Sequence, residues 1–68
     1  MQMYNFDYLM SGQLKPIETV NRMMHTVEQA RNHCANLFMS RGKIVGADRV
    51  QVRENGSSKV LYSWPEHS

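Results

Sequence analysis

The chain has 68 residues, 41% of them hydrophobic and 21% charged, which allows one domain around one small core. A cofactor-carrying α/β fold is excluded, because a single βαβ unit already takes about 30 residues, and no apolar run approaches the roughly 18 residues of a membrane span. The formal charge of +2 is uneven: residues 1–30 sum to −1, whereas residues 31–68, with Arg31, Arg41, Lys43, Arg49, Arg53 and Lys59 against Asp48, Glu54 and Glu66, sum to +3.

In Tyr4-Asn5-Phe6-Asp7-Tyr8-Leu9-Met10 the aromatic positions alternate, which predicts a half-buried strand, and Ser11-Gly12 then breaks it as a turn. Residues 14–24 admit two readings. Ile17, Val20, Met24, Val27, Ala30, Cys34, Leu37 and Phe38 fall on one helical stripe, and Pro16 suits a first helical position, so one helix from Pro16 to Ser40 fits the pattern. Against it, such a helix would run about 37 Å over strands of about 23 Å. Thr26-Val27-Glu28-Gln29 also has the form of a capping box. The second consideration places a helix start at Thr26 and makes residues 14–24 a second strand paired with the first.

From Val27 to about Ser40 the helix carries Val27, Ala30, Cys34, Leu37 and Phe38 on one face, with Glu28, Gln29, Asn32, His33 and Asn36 mostly on the other. Arg41 suits its negative end and Gly42 the left-handed residue beyond it. Arg49-Val50-Gln51-Val52-Arg53 and Lys59-Val60-Leu61-Tyr62-Ser63-Trp64 read as strands joined at Asn55-Gly56. A bulged loop at Gly56 or Ser57 would put Val50, Val52, Val60, Tyr62 and Trp64 on the core face. Arg49, Gln51, Arg53, Lys59 and Leu61 would then share the other face. Residues 65–68 read as a frayed tail. The expected fold is α+β, a ββαββ antiparallel sheet with the helix across one face, as a single domain over residues 1–64. Its expected core is Tyr4, Phe6, Tyr8, Val27, Ala30, Cys34, Leu37, Phe38, Val50, Val52, Val60, Tyr62 and Trp64.

Little in the sequence points to catalysis. The adjacent His33 and Cys34 diverge by about 100° on a helix and cannot readily clamp one ion, and no C-x-x-C or H-x-x-x-H spacing occurs. The remaining histidines, His25 and His67, read with His33 as surface residues. Cys34 lies on the apolar helical face, where a thiol is inert packing. The serines lack a nucleophile-elbow context, and the four glycines, Gly12, Gly42, Gly46 and Gly56, each fall at a turn rather than in a phosphate loop. No enzyme activity, cofactor or metal is expected. The single cysteine suits a reducing cytosol, and MQMYNFDYLM has neither the basic region nor the cleavage site of a signal peptide. The cytoplasm is the expected setting, with no membrane partner.

The most informative feature is the basic ridge of Arg49, Arg53 and Lys59, with Leu61 beside it and Arg41 and Lys43 in the connector before the third strand. These six are the candidate partner-binding residues, suited to phosphates or an acidic protein and, lacking aromatics for stacking, not to base readout. The same charges also suit ordinary solubility. Thr26-Val27-Glu28-Gln29-Ala30-Arg31, followed by the strand pair at Asn55-Gly56, resembles small phage-encoded ββαββ proteins, among them anti-CRISPR proteins, over residues 17–64. That resemblance is architectural. It implies a non-enzymatic inhibitor that docks on a host nucleoprotein complex and blocks it sterically, although the positive charge departs from the acidic DNA-mimicking members. Two other readings stay open. One is a non-specific nucleic-acid-binding module. The other is a structural or homo-oligomeric protein pairing through an edge strand near residues 3–10 or 59–64, the state being monomer or homodimer.

Overall fold

The computed structural model describes residues 1–65. Four strands, β1 (Gln2–Leu9), β2 (Glu18–Met24), β3 (Arg49–Glu54) and β4 (Val60–Trp64), form one antiparallel sheet in the order β2-β1-β3-β4. Helix α1 (Val27–Leu37) crosses one face. The α+β class and the ββαββ order follow the sequence pattern, and the strand reading of the ambiguous segment holds for its second half. Ile17 N–H reaches Tyr8 O at 2.7 Å, and β2 then pairs with β1 from Tyr8↔Glu18 to Gln2↔Met24. Leu14, before it, stands fully in solvent.

The cap at Thr26 differs from the expected box by one donor. Thr26 Oγ1 accepts from Gln29 N–H at 3.1 Å, but Gln29 Oε1 accepts from His25 N–H rather than that of Thr26. The helix also runs further than expected. After α1 a wider π-helical turn, Phe38–Gly42, leads into α2 (Lys43–Val45). Gly42 keeps right-handed angles and is buried beside Phe38 and Val50; the left-handed terminator is Gly46, with φ 84°. There Ala47 N–H closes on Gly42 O at 2.8 Å.

The core is Tyr4, Phe6, Tyr8, Val50 and Val52 from the even positions of β1 and β3, covered by Ala30, Cys34 and Ala47. Leu37, Phe38, Tyr62 and Trp64 pack on it half-buried. Two expected core residues lie outside it, Val27 at 43% and Val60 at 45% exposure. Val27 sits in the first helical turn, beside the groove along β4. Val60 is turned out by a bulge. The β3–β4 register runs Val50↔Trp64, Gln51↔Ser63, Val52↔Tyr62 and then Arg53↔Val60, so Leu61 is the extra residue. The bulge thus lies inside β4 instead of at Gly56 or Ser57. Val60 and Leu61 exchange their expected roles, and Leu61 packs on the core. Among the described residues no helix is long and apolar enough to cross a membrane. Apart from Pro65, the expected tail lies outside the described residues, as does His67.

Candidate interaction face

Odd-numbered residues of β1, β2 and β3, with Ser63 and Val60 of β4, form the sheet face opposite α1. Directly opposed residues share a face, so the register aligns Thr19, Asp7, Gln51 and Ser63 in one row and Asn21, Asn5, Arg53 and Val60 in the next. Arg49 stands opposite Leu9 at the end of the face nearest the β1–β2 turn. Of the six residues expected to bind a partner, the structure brings only Arg49 and Arg53 together here, because Val50 and Val52 between them point into the core.

Those two arginines have different duties. Arg53 grips Asp7 with two nitrogens, Nε to Oδ2 at 2.6 Å and Nη2 to Oδ1 at 3.0 Å, while Nη1 donates to Ser57 O at 3.0 Å. Thr19 Oγ1 and Gln51 Nε2 also donate to the carboxylate, each at 2.8 Å. Asp7 is consequently 1% exposed although, among the described residues, no element covers this face. Its burial alone would raise the pKa; hydrogen bonds from Arg53, Gln51 and Thr19, with the Arg53 charge, outweigh that and hold the carboxyl below its ordinary range. Arg53 is therefore a structural ion pair and not a free ridge charge. Asp7 is the site residue that sequence reasoning missed. Its odd position in β1 was the available signal, since pairing β1 with β3 sets it beside Arg53.

Arg49 has no such partner. Its Nε is buried and meets no acceptor among the described residues. It lines an open cleft of about 680 Å³ with Leu9, Gln13, Leu14, Gln51 and Pro65, at the hairpin end of the face. That volume lies within the range of small-ligand sites, roughly 300–1,000 Å³. Asp48, on the cleft wall, is occupied as the acceptor of Ser11 N–H at 2.8 Å, and that backbone bond holds its carboxyl below the ordinary value. A half-buried guanidinium in a cleft of mixed polar and apolar walls can offer a forked pair of donors to a carboxylate or a phosphate.

The other four expected residues lie elsewhere. Arg41 holds Glu18 through Nε at 3.0 Å and Nη2 at 3.2 Å, and the side-chain hydrogen bond, then the charge, raises its own pKa. Glu18 is opposite Tyr8, so this pair sits on the helix side of the sheet, at the outer strand. Lys43 is exposed on α2 and Lys59 is exposed in the connection before β4, outside the strand alternation expected to orient it. Leu61 is half-buried against the core. The continuous ridge is thus a single free guanidinium at one end, a neutralised pair in the middle and separate lysines.

The titratable groups beneath α1 are packing groups. Cys34 Sγ donates to Val50 O at 3.1 Å, and burial, opposed by a backbone hydrogen bond from Trp64, pushes the thiol up to about 12. His33, expected at the surface, is half-buried with its ring edge-on to Phe6 at 5.2 Å. Among the described residues no three His, Cys, Asp or Glu side chains are grouped to hold a metal ion. No protein-family model, no curated protein and no solved structure matches the chain.

Proposed function

We propose that the chain is a small non-enzymatic interaction protein that seats an acidic group of a protein or nucleoprotein partner in the Arg49 cleft. One observation carries the reading: a half-buried guanidinium with no hydrogen-bond acceptor at Nε among the described residues, lining a cleft whose walls mix apolar residues (Leu9, Leu14) with polar ones (Gln13, Gln51). Arg49 is the cation lining this cleft, and a charge-assisted hydrogen bond from a guanidinium to a carboxylate is stronger than a neutral one. Leu14, fully exposed at the cleft, supplies apolar area beside the charge. The architectural resemblance to phage-encoded ββαββ proteins adds a mode of action, in which docking here inhibits a host nucleoprotein complex by occupying its surface. An acidic protein patch suits the cleft better than a nucleic-acid backbone, because Lys43, Lys59 and Arg49 do not form one continuous stripe.

The test is a ¹⁵N chemical-shift titration of the full chain with a short oligoglutamate peptide, alongside a DNA duplex at low salt. Peptide-induced shifts are expected within residues 9–14 and 48–51, with affinity falling roughly tenfold or more in Arg49→Gln, as loss of a charge-assisted hydrogen bond requires. An unperturbed cleft, or duplex binding that Arg49→Gln leaves intact, overturns the assignment; the latter favours the non-specific nucleic-acid reading.

A further inference from the structure

The chain has six methionines, and Met1, Met3, Met23 and Met24 fall together where β1 begins and β2 ends. Of these, Met24 packs against the core on the helix side. Met3 and Met23 are directly opposed across the β1–β2 ladder, on the open face. Met3 O accepts from Asn55 N–H at 3.0 Å. The backbone polar groups of Met3 therefore point toward β3. Met3 and Met23 are left as a non-hydrogen-bonded pair, the kind that brings opposed side chains closest.

Beyond the pair Gln2↔Met24, the next odd positions on the two segments are Met1 and His25. The backbone of His25 is held where β2 leads into α1, its N–H donating to Gln29 Oε1 at 3.0 Å. Opposed positions lie about 5 Å apart and successive odd positions about 7 Å. Met1, Met3, Met23 and His25 thus mark the corners of a patch small enough for their side chains to meet over one point. Met1 is 75% and Met23 49% exposed, so neither is core filling. His25 is exposed as well.

A thioether sulfur is a soft, polarisable donor on a side chain with three rotatable bonds, so several can converge on one ion. Soft ligands of this kind select copper(I), and imidazole is a familiar companion ligand for copper. The four residues include no carboxylate to suit calcium or magnesium and no thiolate to suit zinc.

We infer that Met1, Met3, Met23 and His25 form a surface site for one soft monovalent cation, copper(I), held by thioethers and one imidazole nitrogen. The site is independent of the Arg49 cleft. Leu9, which lines that cleft together with Pro65, is about 20 Å along β1 from Met3.

Methyl ¹H–¹³C NMR of the full chain tests the site, with one titration by silver nitrate in chloride-free buffer and another by copper(I) kept reduced with ascorbate. The methyl signals of Met1, Met3 and Met23 and the ring signals of His25 should move together and saturate at one equivalent of either ion. Those of Met10 and Met39 should stay in place. Zinc(II) at the same concentration should move none of them. Met23→Leu keeps volume and apolar character and should weaken silver binding about tenfold or more; its ¹⁵N spectrum reports that it is folded. A docking patch of exposed methionines predicts no response to either ion, and that outcome overturns the inference. So do equal shifts at all six methionines, shifts confined to the surroundings of Cys34, a zinc response equal to that of silver, or parent affinity in Met23→Leu.

Discussion

The two faces of the sheet bury their centres by different physics. Under α1, Phe6, Tyr8, Val50 and Val52 are fully excluded from water by apolar neighbours. On the open face Asp7 is excluded almost as completely, at 1% exposure, by Thr19, Gln51 and Arg53 folded down onto its carboxylate. Apolar burial is nearly indifferent to direction and scales with volume. Polar burial is directional, and it fails when one partner is removed. The covered face should therefore respond to lost volume, and the open face to lost partners and to acid.

Phe6→Ala is the severest test of the covered face. Truncating a buried phenylalanine costs about 3–5 kcal/mol, much of the roughly 3–10 kcal/mol expected for a chain this size. A urea melt should show the variant largely unfolded; a loss below about 1 kcal/mol would mean that α1 does not close over Phe6. On the open face, Arg53→Met and Asp7→Asn should not be equivalent. Arg53→Met strands a carboxylate that is buried, for about 3 kcal/mol at neutral pH. Asp7→Asn leaves an Arg53 whose side chain is already 24% exposed and can hydrate, for about 1–2 kcal/mol. Equal losses would make Asp7 an ordinary surface acid.

The pH response separates the same pair. With its pKa held below the ordinary 3.8, Asp7 contributes stability that is present above that value and lost as pH falls through the folded pKa. Asp7→Asn should flatten that acid limb. In Arg53→Met the hydrogen bonds and charge from Arg53 are gone, while those from Gln51 and Thr19 remain against burial, so the carboxyl's pKa rises relative to the parent's. The variant should then lose less stability than the parent as pH falls below about 4. Urea midpoints at several pH values measure the difference.

This division also explains what could be read from the sequence. Period-two aromatics in β1, paired valines in β3 and the Thr26 cap specify the covered face, because apolar alternation and capping are local signals. The odd positions of β3 follow from the same alternation, so Arg49 and Arg53 were legible as face-mates. Their separate fates were not, since whether Arg53 meets Asp7 depends on β3 lying beside β1, a long-range pairing. Leu61 and Val60 were misplaced for a smaller reason. A bulge adds one residue, and the sequence offered Gly56 or Ser57 as its site while the strand places it at Leu61. Gly42 read as a terminator because glycine suits a left-handed end; it serves instead as a small residue against Val50, and Gly46 ends the helix.

One polar group on the covered face sharpens the contrast further, with the smallest effect of the set. His33 sits edge-on to Phe6 with Nε2 buried and unpartnered among the described residues. Burial first, and then the charge of Arg22, draw its pKa below the ordinary 6.5. A base with a depressed folded pKa favours the unfolded chain once protons become available. The parent's stability should thus slip as pH falls through 6.5 toward the folded value, well before the Asp7 limb begins near 3.8. His33→Gln should remove the first slope and leave the second, while Asp7→Asn does the reverse. Two independent slopes in the urea midpoint, each erased by its own substitution, would show that the faces titrate separately. A first slope that survives His33→Gln would assign it to another group and leave the covered face without a titrating member.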